Sequence, residues 1–121
     1  MRTLIVAILS ILLSVAAQFS LKAGMSSLEV REALGNPAAL RTVFTVLTNK
    51  YVFGGFLLYG LGAVVWLAVL SKWDVSKAYP LVGLGFAITV VVGFALGEQV
   101  GVLRGMGVLL ICCGVFIVSR T

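Results

Sequence analysis

Residues 4–23, LIVAILSILLSVAAQFSLKA, form an apolar run long enough to cross a bilayer, which takes about 20 residues of helix. The run is not uniformly apolar. Ser10, Ser14, Gln18 and Lys22 recur every fourth residue. A helix turns about 100° per residue, so each step of four drifts by only about 40° and the four side chains make one slanting polar stripe. Hydrocarbon is a poor neighbour for such a stripe, so it is expected to face protein or a water-filled cavity.

Three further apolar runs follow, at about 51–71, 78–97 and 105–119. Hydrophobic residues make up 61% of the 121 residues and charged ones 11%, against about 25% charged in soluble domains. A soluble fold of this size has too little interior to hide that much apolar surface. The expectation is an all-α integral membrane protein: one domain, residues 1–121, built as a four-transmembrane-helix antiparallel bundle on short loops. Arg2, an apolar stretch and Val15-Ala16-Ala17 imitate a signal peptide with its cleavage site. The apolar run continues past Ala17, so the segment is read as a retained span.

Between the spans the chain is polar. Gly24 suits a C-cap for the first helix, and Ser26 with Glu29 three residues later resembles a capping box that opens a short helix ending at Gly35-Asn36-Pro37. From Pro37 a second helical segment places Leu40, Val43, Phe44 and Leu47 on one face. It reads as an interfacial amphipathic helix, an early start to the next span, or an ordered loop. Lys72–Lys77 forms a polar turn, Pro80 falls in the first turn of the third span, and Glu98–Arg104 forms the last turn. Gly93 and Gly97 make a GxxxG pair, a pattern that favours helix contact. In the last span Gly107 and Gly114, seven apart, put two small residues on one face, as a helix-packing or dimer contact requires.

The totals also exclude several functions. The net charge is +5, but the nine Lys and Arg residues are scattered at helix ends and build no nucleic-acid patch. There is no His, and Cys112 and Cys113 are adjacent within an apolar run, a spacing that fits neither a metal site nor a disulfide framework. No base–nucleophile or metal constellation arises, so neither an enzyme, a cofactor nor a metal is expected. Orientation stays open: Arg2, Lys72, Lys77 and Arg120 fall on one side and Lys22, Arg31, Arg41, Lys50 and Arg104 on the other, too even a split for the positive-inside rule.

The second span contributes the remaining site candidates. Gly55, Tyr59, Gly62 and Trp66 share a face. Tyr59 lies too deep for the interfacial aromatic belt, so its hydroxyl needs an internal partner. Two aromatics on a glycine-bearing face either line a site or pack against a neighbour.

These motifs carry a resemblance. Gln18-x-x-x-Lys22 closing the first of four helices resembles the small four-helix branch of the drug/metabolite transporter superfamily, as does Ala78-Tyr79-Pro80-Leu81 opening the third span. The turn Leu96-Gly97-Glu98-Gln99-Val100 is similar to the superfamily's GEP-type turn, and Gly107 to Val115 resembles the last helix of small multidrug resistance proteins, where that glycine face pairs two subunits. The EamA-like small proteins resemble the chain more closely, through Ser14-Val15-Ala16-x-Gln18, Lys22 and Ala78-Tyr79-Pro80. They include paired subunits that flip an aminoarabinose-modified undecaprenyl phosphate lipid. The resemblance implies a multi-pass protein of the bacterial inner membrane that pairs with itself or with a related four-helix protein.

The residues separate the two branches. Small multidrug proteins exchange cationic drugs for protons through a buried glutamate in the first helix. Here the four acidic residues, Glu29, Glu32, Asp74 and Glu98, fall in loops or at helix ends, and Gln18 stands where that acid would be. A glutamine amide does not titrate. Ser14, Gln18, Lys22, Tyr59, Trp66 and Tyr79 are therefore read as a substrate site for an anionic, polyhydroxylated amphiphile, with Pro80 and Glu98 at a turn or gate. The expected function is flipping of a polyprenyl-phosphate-linked sugar. Export of small amphiphiles, or service as a non-transporting membrane subunit, are the alternatives.

Overall fold

No proline precedes position 37, and the first apolar run continues unbroken as α1, Arg2–Met25. The structure is a computed structural model that describes residues 2–35 and 39–121. After α1 come α2 (Leu28–Leu34), α3 (Ala39–Thr48), α4 (Lys50–Leu70), α5 (Val75–Ala78), a 3-10 turn at Tyr79–Val82, α6 (Gly83–Ala95) and α7 (Val102–Ser119). Four stretches are long and apolar enough to cross a membrane: Arg2–Met25, Lys50–Leu70, Val75–Ala95 and Val102–Ser119. Among the described residues there is no strand.

The tightest packing joins α1 to α4, which run antiparallel. A Cβ built on Gly62 would lie 3.4 Å from the Ser10 carbonyl oxygen. One on Gly55 would lie 2.8 Å from the Leu21 side chain and 3.2 Å from the Ala17 carbonyl oxygen. One on Gly24 would lie 2.8 Å from both the Val52 amide nitrogen and the Asn49 side-chain oxygen. The backbones approach so closely because the contact positions are small, and in a bilayer such approach supplies the dispersion contacts that hold helices together. A second set of contacts ties α1 to the third and fourth spans. Ile11, Val15, Leu81 and Val115 form one buried cluster, and Ala7, Val69 and Ala78 form another. Gly83 lets α6 meet α7, since a Cβ there would sit 2.9 Å from Ile111 Cγ2 and 3.0 Å from Val115 Cγ2.

The connections differ from expectation in several places. Gly24 is a buried packing residue inside α1, not its cap. The N-cap of α2 is Ser27, not Ser26; its hydroxyl accepts from Val30 N at 3.4 Å, which puts Glu29 one position short of a capping box. Asn36 and Pro37, expected to divide the two short helices, lie outside the described residues. The second of those helices, α3, is neither a loop nor the start of the next span. Asn49 separates it from α4, with its side-chain oxygen accepting from Tyr51 N at 3.0 Å and Val52 N at 3.2 Å.

The third span starts at Val75, three residues before the expected Ala78, so Lys77 belongs to a helix and not to the turn. Pro80 lies beyond that start, and it has no N–H to continue the α-helical ladder. The chain tightens there into the 3-10 turn before resuming as α6. The two glycines of the GxxxG pair take separate roles. Gly97 has φ +96° and ends α6 in a Schellman motif, with Glu98 N bonded to Gly93 O at 2.9 Å and Gly97 N to Phe94 O at 3.1 Å. Gly93 instead receives the Glu98 carboxylate, which would lie 2.9 Å from a Cβ at that position. The last span begins at Val102, which draws Arg104 out of the turn and into the first turn of α7, where it donates to the Gln99 carbonyl at 3.0 Å.

The α1–α4 contact is directly testable. Gly55→Leu should lower stability by about 1–3 kcal/mol through overpacking. Gly60→Leu, on the same helix but with nothing within 4 Å of its Cβ position, should change it little. Thermal unfolding in detergent, followed by loss of monodisperse protein, measures the difference.

Candidate functional site

Midway along α1 the packing opens into a cleft of about 340 Å³, at the small end of the roughly 300–1,000 Å³ usual for ligand sites. Its floor is α1, through Ser10, Ile11, Ser14, Val15 and Gln18. One wall is α4, through Tyr59, Gly62, Ala63 and Trp66. The other is the third span, through Tyr79 and Val82 in the 3-10 turn and Gly85, Phe86 and Thr89 in α6. Among the described residues, α7 contributes nothing to this lining. The lining from Ser10 to Gln18 covers about 12 Å of helix axis at 1.5 Å per residue. It occupies the middle of α1, at the depth of the hydrocarbon core.

The polar groups are placed by the same helix contacts that build the bundle. Ser10 is buried and its hydroxyl donates to the Gly62 carbonyl at 2.7 Å, where the absence of a Gly62 side chain lets the helices touch. Gln18 Nε2 donates to the Tyr59 hydroxyl, bridging α1 and α4 at one end of the cleft. This is the internal partner that the depth of Tyr59 requires. Trp66 packs against the cluster of Ala7, Val69 and Ala78 at the other end. Tyr79 is exposed on the rim.

Five of the six expected substrate-site residues, Ser14, Gln18, Tyr59, Trp66 and Tyr79, thus line one cavity. Lys22 does not. It is exposed in the last turn of α1, outside the lining. The stripe drifts by about 120° from Ser10 to Lys22, and beyond Gln18 the glycines at 24 and 55 close α1 on α4. Pro80 sits beside the cleft without lining it, and Glu98 is exposed at the end of α6. Gly107 and Gly114 have nothing within 4 Å of their Cβ positions.

Sequence reasoning missed the third-span wall. Val82, Gly85, Phe86 and Thr89 fall at 0, 3, 4 and 7, a helical face that was visible in the sequence. The lining holds no Asp, Glu, Lys, Arg, His or Cys. It can offer hydroxyl and amide hydrogen bonds and aromatic faces, but no fixed charge and no metal ligands.

A multi-pass membrane protein with an uncharged, aromatic-walled cleft between its first three spans is the class that fold and site define. The chain belongs to the putative transmembrane family 234, whose family model matches residues 5–119. Over 118 residues it is 30% identical to a protein of Proteus mirabilis named probable 4-amino-4-deoxy-L-arabinose-phosphoundecaprenol flippase subunit ArnF, covering 94% of this chain and 89% of that protein. Over 79 residues it is 37% identical to the corresponding probable subunit ArnE of Pseudomonas savastanoi, covering 64% of this chain and 69% of the relative. Over 62 residues it is 39% identical to the ArnE subunit of Pseudomonas syringae, covering 50% of this chain and 57% of the relative. The matches to these ArnE proteins thus span between about half and about two-thirds of their length. No solved structure matches the chain. The resemblance to the small four-helix branch of the drug/metabolite transporters, and within it to flippase subunits, agrees with these relatives.

The bridge between Gln18 and Tyr59 should show in a double-mutant cycle. Gln18→Leu and Tyr59→Phe together should cost less than the sum of the two, with a coupling of about 0.6 kcal/mol, the average for such bonds between membrane helices. Unfolding in mixed micelles measures it, and strict additivity would place the bond outside the folded bundle.

Proposed function

We propose that the chain is a subunit of a flippase that carries a polyprenyl-phosphate-linked sugar across the bacterial inner membrane. The observation that carries this reading is the cleft itself: an uncharged, mostly apolar pocket midway along α1 that holds a few hydroxyl and amide groups, bounded by three helices, with exposed aromatic side chains on its rim. Ser14, Gln18, Thr89 and the Tyr59 and Tyr79 hydroxyls offer bonds to a sugar, and Trp66 and Phe86 offer faces on which a pyranose ring stacks. A polyprenyl tail stays in the surrounding membrane. Lys22, one turn of α1 beyond Gln18, supplies a cation for the phosphate as it enters or leaves. The relatives named as flippase subunits support the reading and extend it to a partner subunit.

Proton-coupled export of cations finds no support in the lining, which holds no carboxylate. Such coupling needs a group that alternately holds a proton and the cargo at membrane depth.

The test is the lipid that co-purifies with the protein. Mass spectrometry should find a polyprenyl-phosphate sugar with the wild type and little or none with Gln18→Ala, Tyr79→Ala. Bulk phospholipid alone in both samples would overturn the reading. Retention should change little between about pH 6 and 8, since the lining holds no group that ordinarily titrates there.

The partner is tested separately. Gly107 and Gly114 are open on α7, so Gly114→Leu should lower the fraction of chain that associates with itself or with a related subunit, read by cross-linking in detergent. An unchanged fraction would move the interface off this face.

A further inference from the structure

We infer that α3 lies at the boundary between headgroups and acyl chains of one leaflet, with its apolar stripe inserted among lipid chains. The argument starts from which way the helix faces. In a helix packed on a water-soluble protein, apolar residues turn inward and polar ones outward. In α3 the order is reversed. Its polar side meets α2: Thr42 Oγ1 donates to the Ala33 carbonyl at 2.8 Å, and Arg41 and Thr45 line a small cleft with Glu29 and Glu32 of α2. Its apolar side is turned away from the protein, with Leu40 87% and Phe44 70% exposed and Val43 and Leu47 beside them. No residue of α3 is buried.

Position then selects lipid as the occupant. The 21 residues of α4 extend about 31 Å at 1.5 Å per residue, enough to cross a hydrocarbon core of about 30 Å unaided. Asn49 is the single residue between α3 and α4, and its extended backbone (ψ 130°) breaks the helical path. The stripe therefore starts where the span ends. Asn49 also ties the start of α4 to the start of α2, since its Nδ2 donates to the Ser27 hydroxyl at 3.2 Å. Lys50, next along the chain, stands 5.2 Å from the centroid of the Tyr51 ring, a cation and an aromatic of the kind that mark the headgroup level. Across residues 22–50 the charge is +2, from Lys22, Arg31, Arg41 and Lys50 against Glu29 and Glu32. That balance complements an anionic leaflet.

Spin labelling tests the inference on the full chain in nanodiscs of mixed phosphatidylcholine and phosphatidylglycerol. In a Cys112→Ser, Cys113→Ser background, single cysteines replace Leu40, Phe44 and Leu47 on the stripe, or Arg41 and Thr45 on the side that meets α2. Collisions of each nitroxide with oxygen, which concentrates in acyl chains, are compared with collisions with a water-soluble nickel chelate. The expected result is a several-fold higher oxygen-to-nickel ratio on the stripe. Equal nickel access on both faces would put the stripe in water and overturn the inference. Low collision with both reagents on the stripe would mean that a second protein segment covers it, and would overturn it equally. Leu40→Trp, measured as added fluorescence quenched by brominated phospholipid, gives an independent readout should a labelled variant fail to fold. Quenching supports insertion and its absence opposes it.

Discussion

The structure depends on how closely α1 can approach α4. A bilayer offers little hydrophobic reward for bringing two apolar helices together, because acyl chains solvate them as well as side chains do. What remains is close packing and the hydrogen bonds that proximity permits. Small residues at Ser10, Ala17 and Gly24 on one helix, and Gly55 and Gly62 on the other, allow both. The Ser10 hydroxyl reaches the Gly62 carbonyl only because glycine leaves its backbone bare. With α1 held this way, its opposite flank is free to carry the core of Ile11 and Val15 against Leu81 and Val115.

The cleft follows from that arrangement. The floor helix carries polar groups at intervals of four, of which Ser10, Ser14 and Gln18 face the cleft while the drift of the stripe takes Lys22 out of it. Where the helices close, the polar group is fully satisfied and buried, as at Ser10. Where they part, Gln18 and Tyr59 satisfy each other while still presenting lone pairs and an N–H to the cavity. The site therefore carries a few hydrogen-bonding groups in a mostly apolar wall and no charge, a combination that hydrocarbon tolerates at far lower cost than an unpaired ion.

Much of this was legible in the sequence, and the failures have physical causes. Four spans, the polar stripe and the glycine-bearing face of α4 follow from hydropathy and helical periodicity, which act locally. The start of the third span does not, because Pro80 reads as a helix start when the chain accommodates it with a 3-10 turn a few residues in. Gly97 was assigned to helix packing, although its place at the end of the apolar run suits a cap in the left-handed region. Ser27 won the N-cap from Ser26 by one position, and adjacent serines give no sequence signal to separate them. The exclusion of Lys22 from the cavity was beyond reach, since it depends on where α1 and α4 close. The Ser10, Ala17 and Gly24 spacing of seven was there to be read, and it mirrors Gly55 and Gly62.

The neutrality of the cleft has an electrical consequence. Moving one elementary charge through the full membrane potential changes the energy by about 2.3 kcal/mol per 100 mV. The side chains that line this cavity carry none. A rearrangement that turned the cleft from one leaflet to the other would therefore move no charge of its lining through the field. Under the proposed flipping role the voltage acts on the passenger and on charges outside the cleft, such as Lys22, and the lining itself adds nothing to the voltage dependence.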